Sequence, residues 1–219
     1  MAATEGGARS AEATAARRRA ASLLKESYRK QGRVSELIRV LEIELEAAET
    51  PAERAERIRG IVRLRLELGD LAGAFEDTSA LLLLEPAEAA HRVELTRLAA
   101  SLGRQVQLAE ALGKAAALAE GSNRIALLAQ AAAVHRSELG NAARATELNR
   151  AILADAPAGD AAALRAARDL DQLLAEQGLA AERCDVLEQL ATMEPEAAAR
   201  RAARAELSRS AWAEVGDPE

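Results

Sequence analysis

Six glycines divide this chain at nearly regular intervals. They are Gly32, Gly69, Gly103, Gly140, Gly178 and Gly216, and the spacings between them are 37, 34, 37, 38 and 38 residues. Each glycine follows one segment with helical periodicity and precedes another. Helices often end in a residue with left-handed backbone geometry, and this position favours glycine because glycine has no Cβ. The spacing therefore predicts a repeated helical hairpin with a glycine in each turn.

A second set of residues marks the end of each hairpin, 17 to 19 positions after the glycine. These residues are Pro51, Pro86, Gly121, Pro157 and Pro195. Thr50 and Glu53 have the spacing of a capping box, with Pro51 in the first helical turn, where its missing N–H costs nothing. We expect further helix N-caps at Asp70, Ser122, Asn141, Asp160 and Asp217.

Apolar residues between these marks fall on one helical face. After Gly32 they are Val34, Leu37, Ile38, Leu41 and Leu45, and after Gly69 they include Leu71, Ala74, Phe75 and Leu82. Such a face has to pack on its partner helix and on the next hairpin. Aromatic residues make up only 1% of the chain, which does not suit a sheet. We predict an all-α fold, a right-handed α-solenoid of about five and a half helical hairpins over residues 16–219, after a disordered tail at residues 1–15.

These hairpins resemble the tetratricopeptide repeat family, whose unit is a helix-turn-helix of about 34 residues. Three hairpins place 17 residues between the turn glycine and the closing proline: Gly69 to Pro86, Gly140 to Pro157 and Gly178 to Pro195. Ala74 and Ala145 match the family's small residue early in the second helix, and Tyr28 and Trp212 match its late aromatic residue in the first. The chain departs from the family at Lys25, Val62 and Asp171, where a small residue is expected.

The resemblance implies a non-enzymatic scaffold that binds a protein or peptide segment in a concave groove, lined by the first helix of each hairpin. The family's groove positions fall on seven basic residues: Arg29, Lys30, Arg59, Arg63, Arg97, Arg165 and Arg168. A basic groove would attract an acidic segment, because clefts concentrate the electrostatic field. The other interpretation is a solvated surface, with these cations paired to Glu56, Glu67 or Asp169.

Motifs for catalysis, cofactors and metals are not found in the sequence. Gly113-Lys114 lacks the upstream glycine and the Ser or Thr of a nucleotide-binding loop. His91 and His135 each lack a second histidine one helical turn away. Cys184 lies on an apolar stripe and is interpreted as a small core residue. We expect no enzyme activity, no cofactor and no metal.

Charge and hydropathy limit the partners of the chain. The net charge of −6 disfavours binding to nucleic-acid phosphates, although residues 1–33 carry eight basic groups and three acidic ones. No apolar run approaches the roughly 18 residues of a membrane span. Arginine outnumbers lysine 26 to 3. We expect a bacterial, cytoplasmic protein without nucleic-acid or membrane partners.

Two alternatives stay open. One is a regulatory or assembly segment of a larger protein. The other is an RNA-binding helical repeat, which would read bases with polar residues at fixed repeat positions, and those positions vary here. The sequence identifies neither the partner nor the oligomeric state. Asp217-Pro218 is a helix-start signal, which predicts that the chain stops within a repeat and that Trp212 is incompletely buried. A natural cap is the competing interpretation.

Overall fold

The computed structural model describes residues 16, 19–21, 23–157 and 159–215. The predicted tail at residues 1–15, the turn glycine Gly216 and the predicted cap Asp217 lie outside the described residues. The chain divides into two compact units, Met1–Arg104 (unit 1) and Gln105–Glu219 (unit 2). The boundary falls in the turn of the third predicted hairpin, directly after Arg104, the residue that follows Gly103.

Unit 1 is built from consecutive helices. Helix α1 covers residues 23–30, and it is followed by α2 (Val34–Glu46), α3 (Pro51–Glu67), α4 (Leu71–Leu84) and α5 (Ala89–Leu102). Helix α3 packs on α2 and on α4, and α4 packs on α5. This arrangement is expected because each helix buries its apolar face against its neighbours in the chain.

Unit 2 continues in the same way. Its helices are α6 (Gln105–Leu118), α7 (Gly121–Ser137), α8 (Ala142–Asp155), α9 (Ala161–Gln177), α10 (Ala180–Met193) and α11 (Ala197–Val215). Each helix packs on the next one, and α7 also contacts α9. The described residues form no strand. The predicted all-α helical repeat is confirmed.

The predicted turn glycines have the predicted backbone. Five of the six are described, Gly32, Gly69, Gly103, Gly140 and Gly178, and their φ angles lie between +60° and +73°. In four of these turns the N–H after the glycine donates to the carbonyl oxygen five residues earlier, at 2.9 to 3.0 Å. This is the bond of a Schellman motif, which satisfies a free carbonyl at the helix end. After Gly140 the donor is Asn141 and the acceptor is His135, at 2.8 Å.

Most predicted caps are confirmed. Thr50 Oγ1 accepts a hydrogen bond from the Glu53 N–H at 3.2 Å, and Glu53 Oε2 accepts from the Thr50 N–H at 3.3 Å. The side chains of Asp70, Asn141 and Asp160 also accept backbone bonds at the starts of α4, α8 and α9. The prediction for Ser122 is wrong. Helix α7 begins at Gly121, after the extended backbone of Glu120, so Ser122 already lies inside the helix.

The apolar faces form the core of each unit. In unit 1 the predicted stripe of α2 packs against Ile61 and Leu64 of α3, and Phe75 and Leu82 of α4 are fully buried. In unit 2 one cluster joins α9, α10 and α11 through residues such as Leu170, Leu187 and Ala203. Trp212 on α11 is 63% exposed, which agrees with its predicted incomplete burial.

A cluster of charged side chains joins α2, α3 and α4 in unit 1. Arg65 of α3 lies 3.2 Å from a carboxylate oxygen of Glu42, 3.2 Å from one of Asp70 and 2.9 Å from one of Asp77. Arg65 Nε and Asp77 Oδ2 are close but not aligned as a hydrogen bond. Burial raises the pKa of Asp77, against the opposing effect of Arg65. This cluster therefore holds three carboxylates around one guanidinium.

Candidate partner-binding groove

A groove of about 810 Å³ opens in unit 1 between α1, α2 and α3. Four apolar residues line it, Val34, Leu37 and Leu41 from α2 and Leu64 from α3. Leu41 and Leu64 are buried, whereas Val34 and Leu37 are half-buried. Val34 and Leu37 are thus partly accessible from the groove. The groove therefore has an apolar floor.

Gly60 lies in the middle of α3 and also lines the groove. A glycine inside a helix costs about 1 kcal/mol relative to alanine. A Cβ added at Gly60 would lie 3.1 Å from Leu41 Cδ1, closer than ordinary contact. Because Gly60 has no side chain, Leu41 can reach α3 here and the floor stays open.

The rim of the groove is basic. Six cations line it, Lys25, Arg29, Arg33, Arg57, Arg59 and Arg63, with only two acidic residues, Glu56 and Glu67. Residues 1–104 as a whole contain 17 basic and 17 acidic residues. The positive charge is therefore local to the groove. Arg33 Cζ also lies 4.8 Å from the centroid of the Tyr28 ring, a cation–π contact at the mouth.

Five of the six groove cations have a carboxylate partner. These pairs are Lys25–Glu44 at 2.8 Å, Arg29–Glu26 at 3.7 Å, Arg33–Glu36 at 2.5 Å, Arg57–Glu44 at 3.0 Å and Arg59–Glu85 at 2.5 Å. Arg63 is exposed and forms no ion pair with any described residue. Exposed ion pairs contribute about 0–1 kcal/mol, so a ligand carboxylate can compete for the paired cations. Arg63 can bind a ligand carboxylate without first breaking an ion pair to a described residue.

Glu85 connects the groove to α5. Its Oε1 accepts a hydrogen bond from Arg59 Nη2 at 2.5 Å, and its Oε2 lies 2.9 Å from His91 Nε2. The hydrogen bond with His91 and then the one with Arg59 hold the pKa of Glu85 below its usual value. The carboxylate is therefore ionised at neutral pH and stays beside Arg59.

The predicted site residues are distributed over several places. Arg29, Arg59 and Arg63 line the unit 1 groove, and Lys30 is exposed on α1 next to it. Arg97 donates two hydrogen bonds to Glu94 on its own helix, at 2.9 and 2.6 Å. In unit 2, Arg168 donates two hydrogen bonds to Glu194 at 2.6 Å, and Arg165 lines a separate groove. Partner binding by any of the seven stays a prediction.

Several groove residues were not predicted from the sequence, among them Tyr28, Arg33, Arg57 and Gly60. Tyr28 belongs to α1, Arg33 lies in the turn between α1 and α2, and Arg57 and Gly60 belong to α3. Gly60 carried a readable signal, because a glycine inside a helical pattern often marks a close approach. Arg33 and Arg57 had no such signal in the sequence, since their place in the groove depends on how the packed helices are rotated about their axes.

Within the ranges that the structure describes, no three His, Cys, Asp or Glu side chains are grouped as metal ligands. Among those same residues, no helix combines the length and the apolar composition that a membrane crossing requires.

No protein-family description and no curated protein matches the chain. Several solved structures align with it. The MamA protein aligns over 78% of this chain and 88% of its own, with 17% identity and a TM-score of 0.41. A Podosopora anserina putative kinesin light chain with nearly identical TPR-like repeats aligns over 87% and 96%, with 20% identity and a TM-score of 0.43. BtubC from P. vanneervenii aligns over 91% and 81%, with 13% identity and a TM-score of 0.41.

The described helices themselves define the architecture. Helix pairs such as α3 and α4 or α7 and α8 are joined by a turn with a left-handed glycine, and within each unit successive helices pack together. The chain is thus a divergent array of helical hairpins similar to the tetratricopeptide repeat family.

Proposed function

We propose that this chain is a non-enzymatic protein-interaction module and that the unit 1 groove binds an acidic segment of a partner protein. The observation that carries the proposal is Arg63, an exposed arginine above an apolar floor, with no ion pair to any described residue. Arg29 and Arg59 lie in the same groove and extend its basic rim.

The groove suits a segment that combines an apolar side chain with a carboxylate. Burial of one leucine on Val34, Leu37 and Leu41 would contribute about 1.5–3 kcal/mol. A charged hydrogen bond to Arg63 would contribute about 1.5–3 kcal/mol more. Neither contribution alone offsets the cost of association, which is at least about 4 kcal/mol. Both contacts are therefore needed for specific binding.

Charge favours a protein partner over a nucleic acid. Unit 1 has no net charge, and residues 105–219 carry 12 basic and 18 acidic residues. A phosphate backbone would meet only the local cations of the groove, whereas a short acidic segment needs no more than these. The same proposal includes a bacterial, cytoplasmic protein that works without a cofactor.

Peptide display tests the proposal directly. The intact chain is used to select from random 12-residue peptides, and the enriched peptides are synthesised with a fluorescein label. We expect enrichment of Asp or Glu next to Leu, Ile or Phe. In fluorescence anisotropy, Arg63→Glu should weaken binding about tenfold or more, since one charged hydrogen bond is lost.

A matched control variant is Arg39→Glu. Arg39 is exposed on α2, lies outside the groove and has no ion pair with any described residue. Both variants change the net charge by the same amount, so Arg39→Glu should leave the affinity within about twofold. Equal loss in both variants would mean that only net charge matters, and equal binding by Arg63→Glu and the unaltered chain would contradict the proposal.

A further inference from the structure

Unit 2 contains a second groove whose charge is opposite to that of the unit 1 groove. It measures about 500 Å³ and lies between α7, α8 and α9. Most of its lining is small or aliphatic, including Ala126, Ala129, Ala162 and Ala166. Because alanine side chains are short, the backbone of a bound segment with small side chains can approach these helices closely.

The floor of this groove contains one polar side chain, Asn149 of α8, which is only 3% exposed. Its Nδ2 donates a hydrogen bond to the Ala145 carbonyl oxygen at 3.0 Å. A carbonyl oxygen can only accept, so the nitrogen is the atom turned toward Ala145 and the carboxamide oxygen lies on the other side. That oxygen accepts no hydrogen bond from a described residue. Because Asn149 lines the groove, this oxygen is available to a donor from a ligand.

Carboxylates lie at both ends of the groove. Asp160 and Asp169 of α9 line it, and they are nine residues apart, which corresponds to about 13 Å along a helix. Asp160 Oδ1 accepts from the Ala162 N–H at 2.6 Å, and Asp169 Oδ1 pairs with Arg136 Nη1 at 3.2 Å. Each aspartate therefore uses one oxygen within the protein and keeps a second one for a ligand.

Arg165 is the single cation that lines the groove, and it does not cancel both aspartates. Its Nε donates to the Ala161 carbonyl oxygen of its own helix at 3.4 Å. The groove lining thus has one net negative charge, and Arg136, which pairs with Asp169, is shared with Glu176 at 3.4 Å. The unit around it contains 12 basic and 18 acidic residues. An acidic ligand is disfavoured here, and a basic one is favoured.

We infer that the unit 2 groove binds an extended segment of a partner protein that carries two basic residues four positions apart, with small residues between them. An extended chain advances about 3.3 Å per residue, so side chains at positions i and i+4 lie about 13 Å apart on the same side. This span matches Asp160 and Asp169. A backbone N–H near the middle of the segment donates to Asn149 Oδ1. This site is distinct from the groove of the proposed function in its unit and in the charge of its ligand.

The test uses three fluorescein-labelled peptides, Lys-Ala-Gly-Ala-Lys, Gln-Ala-Gly-Ala-Gln and Glu-Ala-Gly-Ala-Glu, with the intact chain. We expect the lysine peptide to bind with measurable affinity at concentrations up to about 1 mM, and more tightly than the other two. Asp169→Asn should weaken its binding about fivefold or more, because an ion pair is lost. Asn149→Leu should weaken it to a similar extent, since it replaces the carboxamide by an apolar side chain with the same number of heavy atoms.

Control variants separate the site from general effects. Glu188→Gln removes one exposed negative charge outside the groove and should change the affinity less than twofold, whereas Arg165→Gln should strengthen binding of the lysine peptide. Arg63→Glu in unit 1 should have no effect, so failure of this inference is distinguishable from failure of the proposed function. Equal binding of the lysine and glutamine peptides, no binding up to about 1 mM, or no effect of Asp169→Asn would each overturn the inference.

Discussion

We expect Gly73→Ala to destabilise unit 1, although alanine is the better helix former. Gly73 lies in the first turn of α4, beside the Arg65 cluster. A Cβ added there would lie 1.9 Å from Arg65 Nη1 and 2.3 Å from Asp70 Oδ2, whereas ordinary contact begins at 3.4 Å. The guanidinium and the Asp70 carboxylate must therefore move away from their present positions.

The size of the effect follows from the groups that move. Replacing glycine by alanine in a helix contributes about 0.5–1 kcal/mol. Displacing the Asp70 carboxylate weakens its cap on the Gly73 N–H, at a cost of about 0.5–2 kcal/mol. Moving Arg65 leaves Asp77, 23% exposed, without its cation, which costs about 1–3 kcal/mol. The costs exceed the gain by about 0.5–4.5 kcal/mol. Because both clashing atoms are ends of flexible side chains that can partly relax, we expect a loss of about 1–3 kcal/mol.

Gly113→Ala is the matched control. Gly113 lies inside α6, and a Cβ there would meet no atom within 4 Å. This variant should therefore show only the helix-propensity gain of about 0.5–1 kcal/mol. Both variants replace a helical glycine by alanine. If Gly73→Ala lowers the free energy of unfolding and Gly113→Ala raises it, the difference is due to the Arg65 cluster.

Urea unfolding followed by circular dichroism at 222 nm measures both variants. With a slope of about 2 kcal/mol per molar urea, Gly73→Ala should lower the midpoint by about 0.5–1.5 M. Adding Arg65→Met to Gly73→Ala should remove most of the penalty, judged against Arg65→Met alone. If Gly73→Ala raises the midpoint as much as Gly113→Ala does, the steric argument is refuted.

Two further predictions concern unit 2. Gly140→Val should lower the free energy of unfolding by about 1–3 kcal/mol, because Gly140 has a φ of +60°, which strains a β-branched residue. A Cβ there meets no atom within 4 Å, so backbone strain is the only cost. An unchanged urea midpoint would contradict this prediction. Glu194→Gln should destabilise the chain at pH 7, and this deficit should shrink as the pH falls below 4.5. The hydrogen bonds from Arg168 lower the pKa of the buried Glu194 below 4.5, so its contribution is present above that pH and is lost as the pH falls through the folded value. A pH-independent deficit would argue against this ion pair.

The local features of the fold were predictable because their causes are local. A turn glycine such as Gly103 is required by the left-handed φ of its own residue, and the Thr50 capping box depends on atoms three residues apart. The prediction of an N-cap at Ser122 was wrong because an N-cap also requires non-helical backbone at the residue that precedes the helix. Here Glu120 takes the extended conformation, and the helix begins at Gly121. Composition alone does not distinguish these two registers.

The candidate grooves were only partly predictable, because they depend on contacts between residues that are far apart in the sequence. Arg59 and Arg63 were expected in the groove because the resemblance to the tetratricopeptide repeat family places them at groove positions, and they lie four residues apart on the same helix face. The partner of Arg59 is Glu85, 26 residues away, and the partner of Arg168 is Glu194, also 26 residues away. These contacts depend on the rotation and depth of each packed helix. Whether an arginine is free or paired is therefore a tertiary property.

Asp77 provides the last prediction, because its titration acts on stability with the opposite sign to that of Glu194. Burial raises the pKa of Asp77 above 3.8, and Arg65 opposes this, while Glu42, Asp70 and Glu76 add to it. The folded state then binds the proton more tightly than the unfolded state, so stability falls as the pH rises from 3.8 through the folded value. At pH 7 the ionised carboxylate is a net cost.

Asp77→Asn should therefore raise the urea midpoint at pH 7, since Arg65 keeps Glu42 and Asp70 as partners and the buried charge is removed. The difference should vanish near pH 3, where Asp77 is protonated in both states. Glu46→Gln is the control, because Glu46 is an exposed acidic residue of α2 that is not among the groups shifting the pKa of Asp77, and an exposed charge contributes little to stability. A lower midpoint for Asp77→Asn at pH 7 would show that the attraction between Asp77 and Arg65 outweighs the cost of burying the carboxylate.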